Sequence, residues 1–307
     1  MNGGDLLPVA DAQQRILEAL SPLPAELISL SSGLGRVLAE DVVSRRSQPP
    51  MAVSAMDGYA VRAVDVATLP ADLAVVGYAP AGNAFDGSVG PGEAVRIFTG
   101  APLPDGTDTI VIQENTKQTG ETVRVIEGEA PVGRFVRPPG LDFASGDTLL
   151  KAGKVLTARD IGLAAAMNVP WLMVRRKPRI SILATGDEIV MPGDPVGRDQ
   201  IVSSNALSLS AFVSAEGGDP LNLGIAPDEK DGLRALASGA SGSDILVTTG
   251  GASVGDHDLV QSVLGDIGLE VDFWRIAMRP GKPLMFGKIG NTFLIGLPGN
   301  PVSSLVC

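Results

Sequence analysis

The 307-residue sequence has one cysteine, Cys307, and one histidine, His257. A lone cysteine excludes an internal disulfide, and neither a cysteine-rich nor a histidine-rich zinc site can be assembled within one chain. A Cys–His nucleophilic pair would need His257 beside the last residue, so thiol catalysis is not expected. Aromatic residues make up 4% of the chain, leaving few stacking platforms for single-stranded nucleic acid. No run of uncharged apolar residues is long enough for a transmembrane helix. The opening "MNGGDLLPVADAQQ" lacks the basic and apolar regions of a signal peptide, so a cytoplasmic protein is expected. Basic residues are also in deficit: 24 Lys and Arg against 35 Asp and Glu give a net charge of −11. That balance opposes general binding to phosphate backbones, and no nucleic-acid or membrane partner is expected. Chemistry is left to carboxylates, Lys and Arg, hydroxyls, backbone amides or a hard oxygen-bound metal.

Apolar residues are plentiful at 44%, enough for more than one core in a chain of this length. Near the start, Ile16, Leu17 and Leu20 stand at helical spacing behind Asp11. From Pro49 to about Pro138, short β runs such as "LAVVGYAPAG" and "DTIVIQE" are cut by Gly and Pro. Between about Leu141 and Pro178 the pattern becomes turn, strand, a helix opened by Thr157, then strand. These pieces are expected to pack beside the early helix and strands. The predicted organisation is a discontinuous α+β domain (1–48 and 141–178), a β-rich domain inserted into it (49–140), and an α/β domain (179–307). In the last, "RISILAT", "LNLGIAP" and "DILVTT" alternate with helical segments, which predicts a three-layer α/β fold with a largely parallel sheet.

Ligands of open α/β sheets sit at the carboxyl ends of the strands. The strand ends of this domain are polar or Gly-rich almost throughout. "ILATGDE" presents Thr185, Gly186, Asp187 and Glu188; "LGIAPD" presents Asp228. "VTTGGASVGDHD" presents Gly250, Gly251, Ser253, Asp256 and Asp258; "RIAMRPGKP" presents Arg275, Arg279, Pro280 and Lys282; "IGLPGNP" presents Asn300. Gly250-Gly251 with Ser253 before a helix makes an anion cradle, because helix N-terminal amides point outward. It is neither a Walker loop nor a dinucleotide fingerprint, since both spacings are wrong. Asp256 and Asp258 either serve a metal and a water or cap the following helix. His257, pointing away from both, reads as a surface residue. Asn300 reads equally as an amide contact or a turn residue. Asp57 in "SAMDGYA" would alone read as a D-G turn.

"ATGDE", "TTGGASVGDHD", "RPGKP" and "GLPGNP", with "SAMDGYA", "IFTGAPLP" and "RPPGLDFASGD" in the N-terminal half, together resemble the molybdopterin molybdotransferase family, MoeA-type proteins including the gephyrin E domain. The resemblance runs through nearly the whole chain. It implies insertion of molybdenum from molybdate into adenylylated molybdopterin, release of AMP, and Mg²⁺ as the cofactor. It also implies a homodimer in which Asp57, and with it Thr99 and Asp142, reaches the partner's site; Asp57 and Asp142 then belong to the catalytic set with Glu188, Asp228, Asp256 and Asp258, and Thr99 is a substrate contact. Asp187, Glu188 and Asp256 are then the expected metal ligands. Thr185, Gly186, Gly250, Gly251, Ser253 and Asn300 are expected to hold substrate; Arg275, Arg279 and Lys282 would neutralise molybdate and phosphate charge. The sequence departs from the family pattern in two places. It stops at "GNPVSSLVC", before the fourth, C-terminal β-barrel domain of family members, and Arg275 and Arg279 stand where relatives often have Lys. Competing readings are a non-catalytic molybdopterin or nucleotide-binding scaffold and a nucleotide pyrophosphatase.

Overall fold

The computed structural model describes residues 6–250 and 259–307. The chain divides into two compact units, one of residues 1–26 with 175–307 and the other of residues 27–174.

The first is the α/β unit. Its sheet is built from β1 (Arg179–Thr185), β2 (Asp219–Ala226), β3 (Ile245–Thr249), β4 (Leu269–Trp274), β5 (Met285–Ile289) and β6 (Thr292–Leu297), in the order β2-β1-β3-β6-β5-β4. β2, β1, β3 and β6 run parallel; β5 is antiparallel to both of its neighbours. Alternate residues feed opposite faces, as the strand period requires. Ile182, Ala184, Val247 and Leu297 enter one core, whereas Leu183, Leu246 and Leu294 enter the other. Helix α2 (Asn205–Ala215) covers the first face with Ala206, Leu209 and Val213. Helices α3 (Lys230–Ser238) and α4 (Leu259–Asp266) close the second, with Leu233, Ala237, Val263 and Leu264. A short helix, α5 (Pro301–Val306), follows β6.

The N-terminal helix α1 (Val9–Ala19) differs from expectation. Its buried stripe is Val9, Ala12 and Ile16 with Leu7 before it, while Leu17 is 71% exposed. The stripe packs on the α/β core with Phe273 and Ile276, and the Ala277 amide donates to the Leu7 carbonyl at 2.7 Å. Residues 6–19 therefore belong with the α/β unit and not with 141–178. An amphipathic stripe is satisfied by any complementary apolar face, so sequence neighbours were a poor guide to its partner.

In the second unit a six-stranded sheet spans residues 58–125. Tyr59, Val61, Val111 and Val123 pack on one face; Ala60, Val95, Ile97 and Ile110 pack on the other. Leu38, Val42, Phe143, Leu156, Met167 and Leu172 form a separate core. The helix at Ala158–Ala166 beside it opens with a full capping box, Thr157 with Asp160.

Candidate functional site

In the α/β unit, the register of the sheet aligns the sequence-predicted segments on one edge. Thr185 pairs with Ala226, Ala184 with Thr249, Thr249 with Leu297, Gly296 with Met285, and Met285 with Trp274. The residues directly after these positions therefore form a single rim. Read from β2 to β4, the rim offers Asp228, then Asp187 and Glu188, then Gly250, then Gly299, and finally the loop holding Arg275, Arg279 and Lys282. Acids stand at one end, glycine backbone in the middle, and cations at the other end. At the usual strand spacing this six-strand row is about 24 Å long.

A cavity of about 280 Å³ opens at its centre, lined by Thr185, Glu188, Ser204, Asn205, Thr249 and Gly250 among others. Two buried polar atoms of its lining, Thr185 Oγ1 and Asn205 Oδ1, have no hydrogen-bond partner among the described residues. Leaving such atoms unpaired costs about 1–3 kcal/mol each, so a polar guest that satisfies them gains that much. The glycines let backbone come close: a β-carbon at Gly250 would collide with the Thr185 carbonyl oxygen, and one at Gly299 would lie 3.4 Å from the Gly250 Cα. Asn205, at the start of α2, holds the cavity floor together. Its Nδ2 is 2.8 Å from Thr249 Oγ1 and 2.8 Å from the Gly299 carbonyl, joining the ends of β3 and β6.

The carboxylates differ in their commitments. Asp187 Oδ1 accepts the Asp228 amide at 3.0 Å, tying the β1 and β2 ends together. Glu188 is exposed and lines the cavity. No group of three His, Cys, Asp or Glu residues placed to hold a metal occurs among the described residues. Magnesium seldom requires one, since it binds through one or two carboxylates with water and substrate phosphates. Asp187 and Glu188 fit that donor set. Gly251, Ser253, Asp256 and Asp258, and also His257, lie outside the described residues.

At the cationic end, Arg275 adopts φ 95°, which is rare for a residue with a β-carbon, and its guanidinium lies 4.7 Å over the Trp274 ring. Its Nε is buried without a hydrogen-bond partner among the described residues. Arg279, Pro280 and Lys282 are exposed on the same loop, which is closed by the Ile276 amide donating to the Lys282 carbonyl at 3.0 Å. Asn300 has a capping role: its Oδ1 accepts from the Val302 and Ser303 amides at the start of α5.

The second unit carries another polar constellation. Asp57 Oδ1 accepts the Thr99 amide at 2.8 Å and the Thr99 hydroxyl at 2.7 Å. These bonds, first the amide and then the hydroxyl, hold the Asp57 carboxyl below its ordinary range, aided by the nearby Arg96 charge and opposed by partial desolvation. Gly58 is not a turn residue. It opens a strand where a β-carbon would collide with the Val111 carbonyl oxygen, so the D-G pair places an acid at the head of a tightly packed strand. Asp142 is exposed, and its backbone amide donates to the Gln48 carbonyl at 2.9 Å. Among the described residues, its side chain is not hydrogen-bonded to Asp57 or Thr99.

Two family descriptions match the chain. Residues 7–168 match the MoeA N-terminal region, domains I and II, and residues 181–307 match a probable molybdopterin-binding domain. The chain belongs to the molybdopterin molybdenumtransferase family. It is 38% identical to the molybdopterin molybdenumtransferase of Nostoc sp. over 98% of this chain and 69% of the relative. It is 37% identical to the Haemophilus influenzae enzyme of the same name, over 98% of this chain and 74% of that one. The MoeA molybdopterin biosynthesis protein of Pyrococcus horikoshii superimposes with a TM-score of 0.85 at 34% identity, covering 98% of this chain and 76% of that structure. Family membership gives this chain a role in molybdenum cofactor biosynthesis.

Sequence reasoning passed over Asn205 and Arg96 as site residues. Asn205 reads as a helix-start residue, and only the folded register shows it joining β3 to β6. Arg96 carries little local signal, because apart from Phe98 its partners, Gly58, Tyr59 and Gln113, are distant in sequence.

Proposed function

We propose that this protein inserts molybdenum from molybdate into adenylylated molybdopterin and releases AMP. The observation that carries the reading is the graded rim: carboxylates, glycine backbone and cations in one row around a cavity with unpaired buried polar atoms. A long guest with several negative charges suits such a row. In this reading the Gly250 backbone approaches a phosphate, while Arg275, Arg279 and Lys282 neutralise oxyanion charge. Arginine does this with a planar fork, which suits the paired oxygens of a tetrahedral oxyanion.

In this reading Glu188 and Asp228 orient the water that cleaves the phosphoanhydride and take up its proton. Asp256 and Asp258 join them in this reading. Asp187 and Glu188, with Asp256, would hold Mg²⁺, which when bound supplies positive charge to the phosphate oxygens. Thr185, Gly186 and Ser253 complete the phosphate and pterin contacts. The reading includes a cytoplasmic homodimer in which Asp57, Thr99 and Asp142 of one protomer complete the site of the other.

Incubation with adenylylated molybdopterin, with and without molybdate, tests the function. Molybdate-dependent AMP release is expected. Tight binding without release would favour a scaffold, and molybdate-independent cleavage of simple dinucleotides a pyrophosphatase. Asp57→Asn and Glu188→Gln are expected to lower AMP release by about 10²- to 10⁴-fold, the usual contribution of a positioned acid or base.

A further inference from the structure

Arg96 makes an unusual set of contacts for a half-exposed arginine. Its guanidinium lies 5.1 Å from the Tyr59 ring centroid and 4.8 Å from that of Phe98. Nη1 donates to the Gly58 carbonyl at 2.9 Å, and Nη2 donates to Gln113 Oε1 at 2.5 Å. Phe98 is itself backed by Tyr78, with ring centroids 5.0 Å apart. These contacts fall on the immediate neighbours of the acid and its partner, since Gly58 follows Asp57 and Phe98 precedes Thr99. The Gln113 backbone adds a third tie, its amide donating to the Asp57 carbonyl at 3.1 Å. Asp57 Oδ1 is saturated by Thr99, whereas Oδ2 accepts no hydrogen bond from any described residue.

We infer that Arg96 is a positioning residue for the proposed reaction: it locks the Gly58 and Phe98 segments together so that Asp57 presents one free carboxylate oxygen in a fixed direction. Both halves of the guanidinium are used. Its face stacks on rings, and its edge grips a carbonyl and an amide oxygen from different segments. A flexible ammonium has neither the plane nor the fork to do both. The inference rests on the reading that Asp57 acts in catalysis.

The test compares Arg96→Met, Arg96→Lys and Asp57→Asn in the AMP-release assay, together with the Thr99 amide NMR resonance, which reports the bond to Asp57 without turnover. Arg96→Met is expected to lower kcat by about 10²-fold, the scale of a small misplacement of a reacting group, with KM little changed. Its Thr99 resonance is expected to lose its dependence on Asp57 titration while the melting temperature stays near that of the unaltered protein. Arg96→Lys, which keeps the charge and stem and guards against a folding failure of the Met variant, is expected to remain at least about 10-fold impaired, because it lacks the fork. Wild-type kcat and an unshifted Thr99 resonance in a folded Arg96 variant, alongside an inactive Asp57→Asn, would overturn the role of Arg96 alone. Full activity of Asp57→Asn would overturn the reading beneath it.

Discussion

Gly250 sits at φ 92°, in the left-handed region, and its α-carbon faces the Thr185 carbonyl. Alanine there would meet two penalties together, an unfavourable backbone conformation and a backbone collision that no side-chain rotation relieves. Gly250→Ala is therefore expected to destabilise the α/β unit by about 2–4 kcal/mol, measurable as a lower denaturant midpoint. An unchanged midpoint would mean that the β1 and β3 ends are not packed as described. A sequence reader sees "TTGG" and infers close approach to a ligand. The structure adds that the first approach is to the neighbouring strand, and that the same backbone also lines the cavity. Asp57 is a similar case. "MDG" is legible as a turn, but the pinned Oδ1 and open Oδ2 arise from Thr99, 42 residues away, which no local pattern encodes.

Elements were most legible where a periodic or capping signal was strong. Thr157 opens its helix with a capping box as its sequence implies, and the alternation of "RISILAT" places Ile182 and Leu183 in opposite cores. The rim was legible because polar residues behind buried parallel strands have one edge to occupy. Other features depended on contacts distant in sequence. The partner of α1 was misread because its stripe fits the sheet face near Phe273 as well as any local neighbour. The capping role of Asn300 shows only in the fold, where α5 begins at it with Pro301 in the first turn. Helix α5 is short, so its cap is a large part of what holds it. Asn300→Ala is expected to cost about 1 kcal/mol through loss of the two amide bonds. Asn300→Ser, which can still cap, is expected to recover most of that in the same equilibrium unfolding measurement. Equal loss in both variants would point to a role beyond capping.

On the scale of the whole molecule, the proposed binding rim and a charged tie that supports the fold occupy opposite edges of the α/β sheet. The rim lies at the carboxyl ends of the parallel strands, and Asp244 lies at their entry. Asp244 accepts from Arg176 Nη1 and Nη2 at 2.7 and 2.6 Å and from the Arg179 amide at 2.8 Å; its carbonyl accepts the Phe293 amide at 2.9 Å. One residue thus ties the starts of β1, β3 and β6. The Arg176 side-chain bonds hold the Asp244 carboxyl below its ordinary range, outweighing partial burial, with the Arg179 amide adding to the effect; Arg176 is correspondingly raised. A depressed folded-state value means that the stabilisation is fully present above the unfolded aspartate value of about 3.9 and is lost as pH falls through the folded one. The α/β unit should therefore weaken on acidification below about pH 4, in part through this group. Asp244→Asn keeps the shape but removes the charge, and is expected to cost about 2 kcal/mol at pH 7, the scale of hydrogen bonds to a charged group. It should also flatten the acid limb of the stability profile. Because the Asp244 bonds are at the entry edge, AMP release measured well below the melting temperature should stay near the unaltered rate. Denaturant unfolding at pH 7 and pH 3.5, paired with the AMP assay, checks both halves. A variant that keeps its stability at pH 7, or that loses turnover while still folded, would show that the two edges are not separate in function.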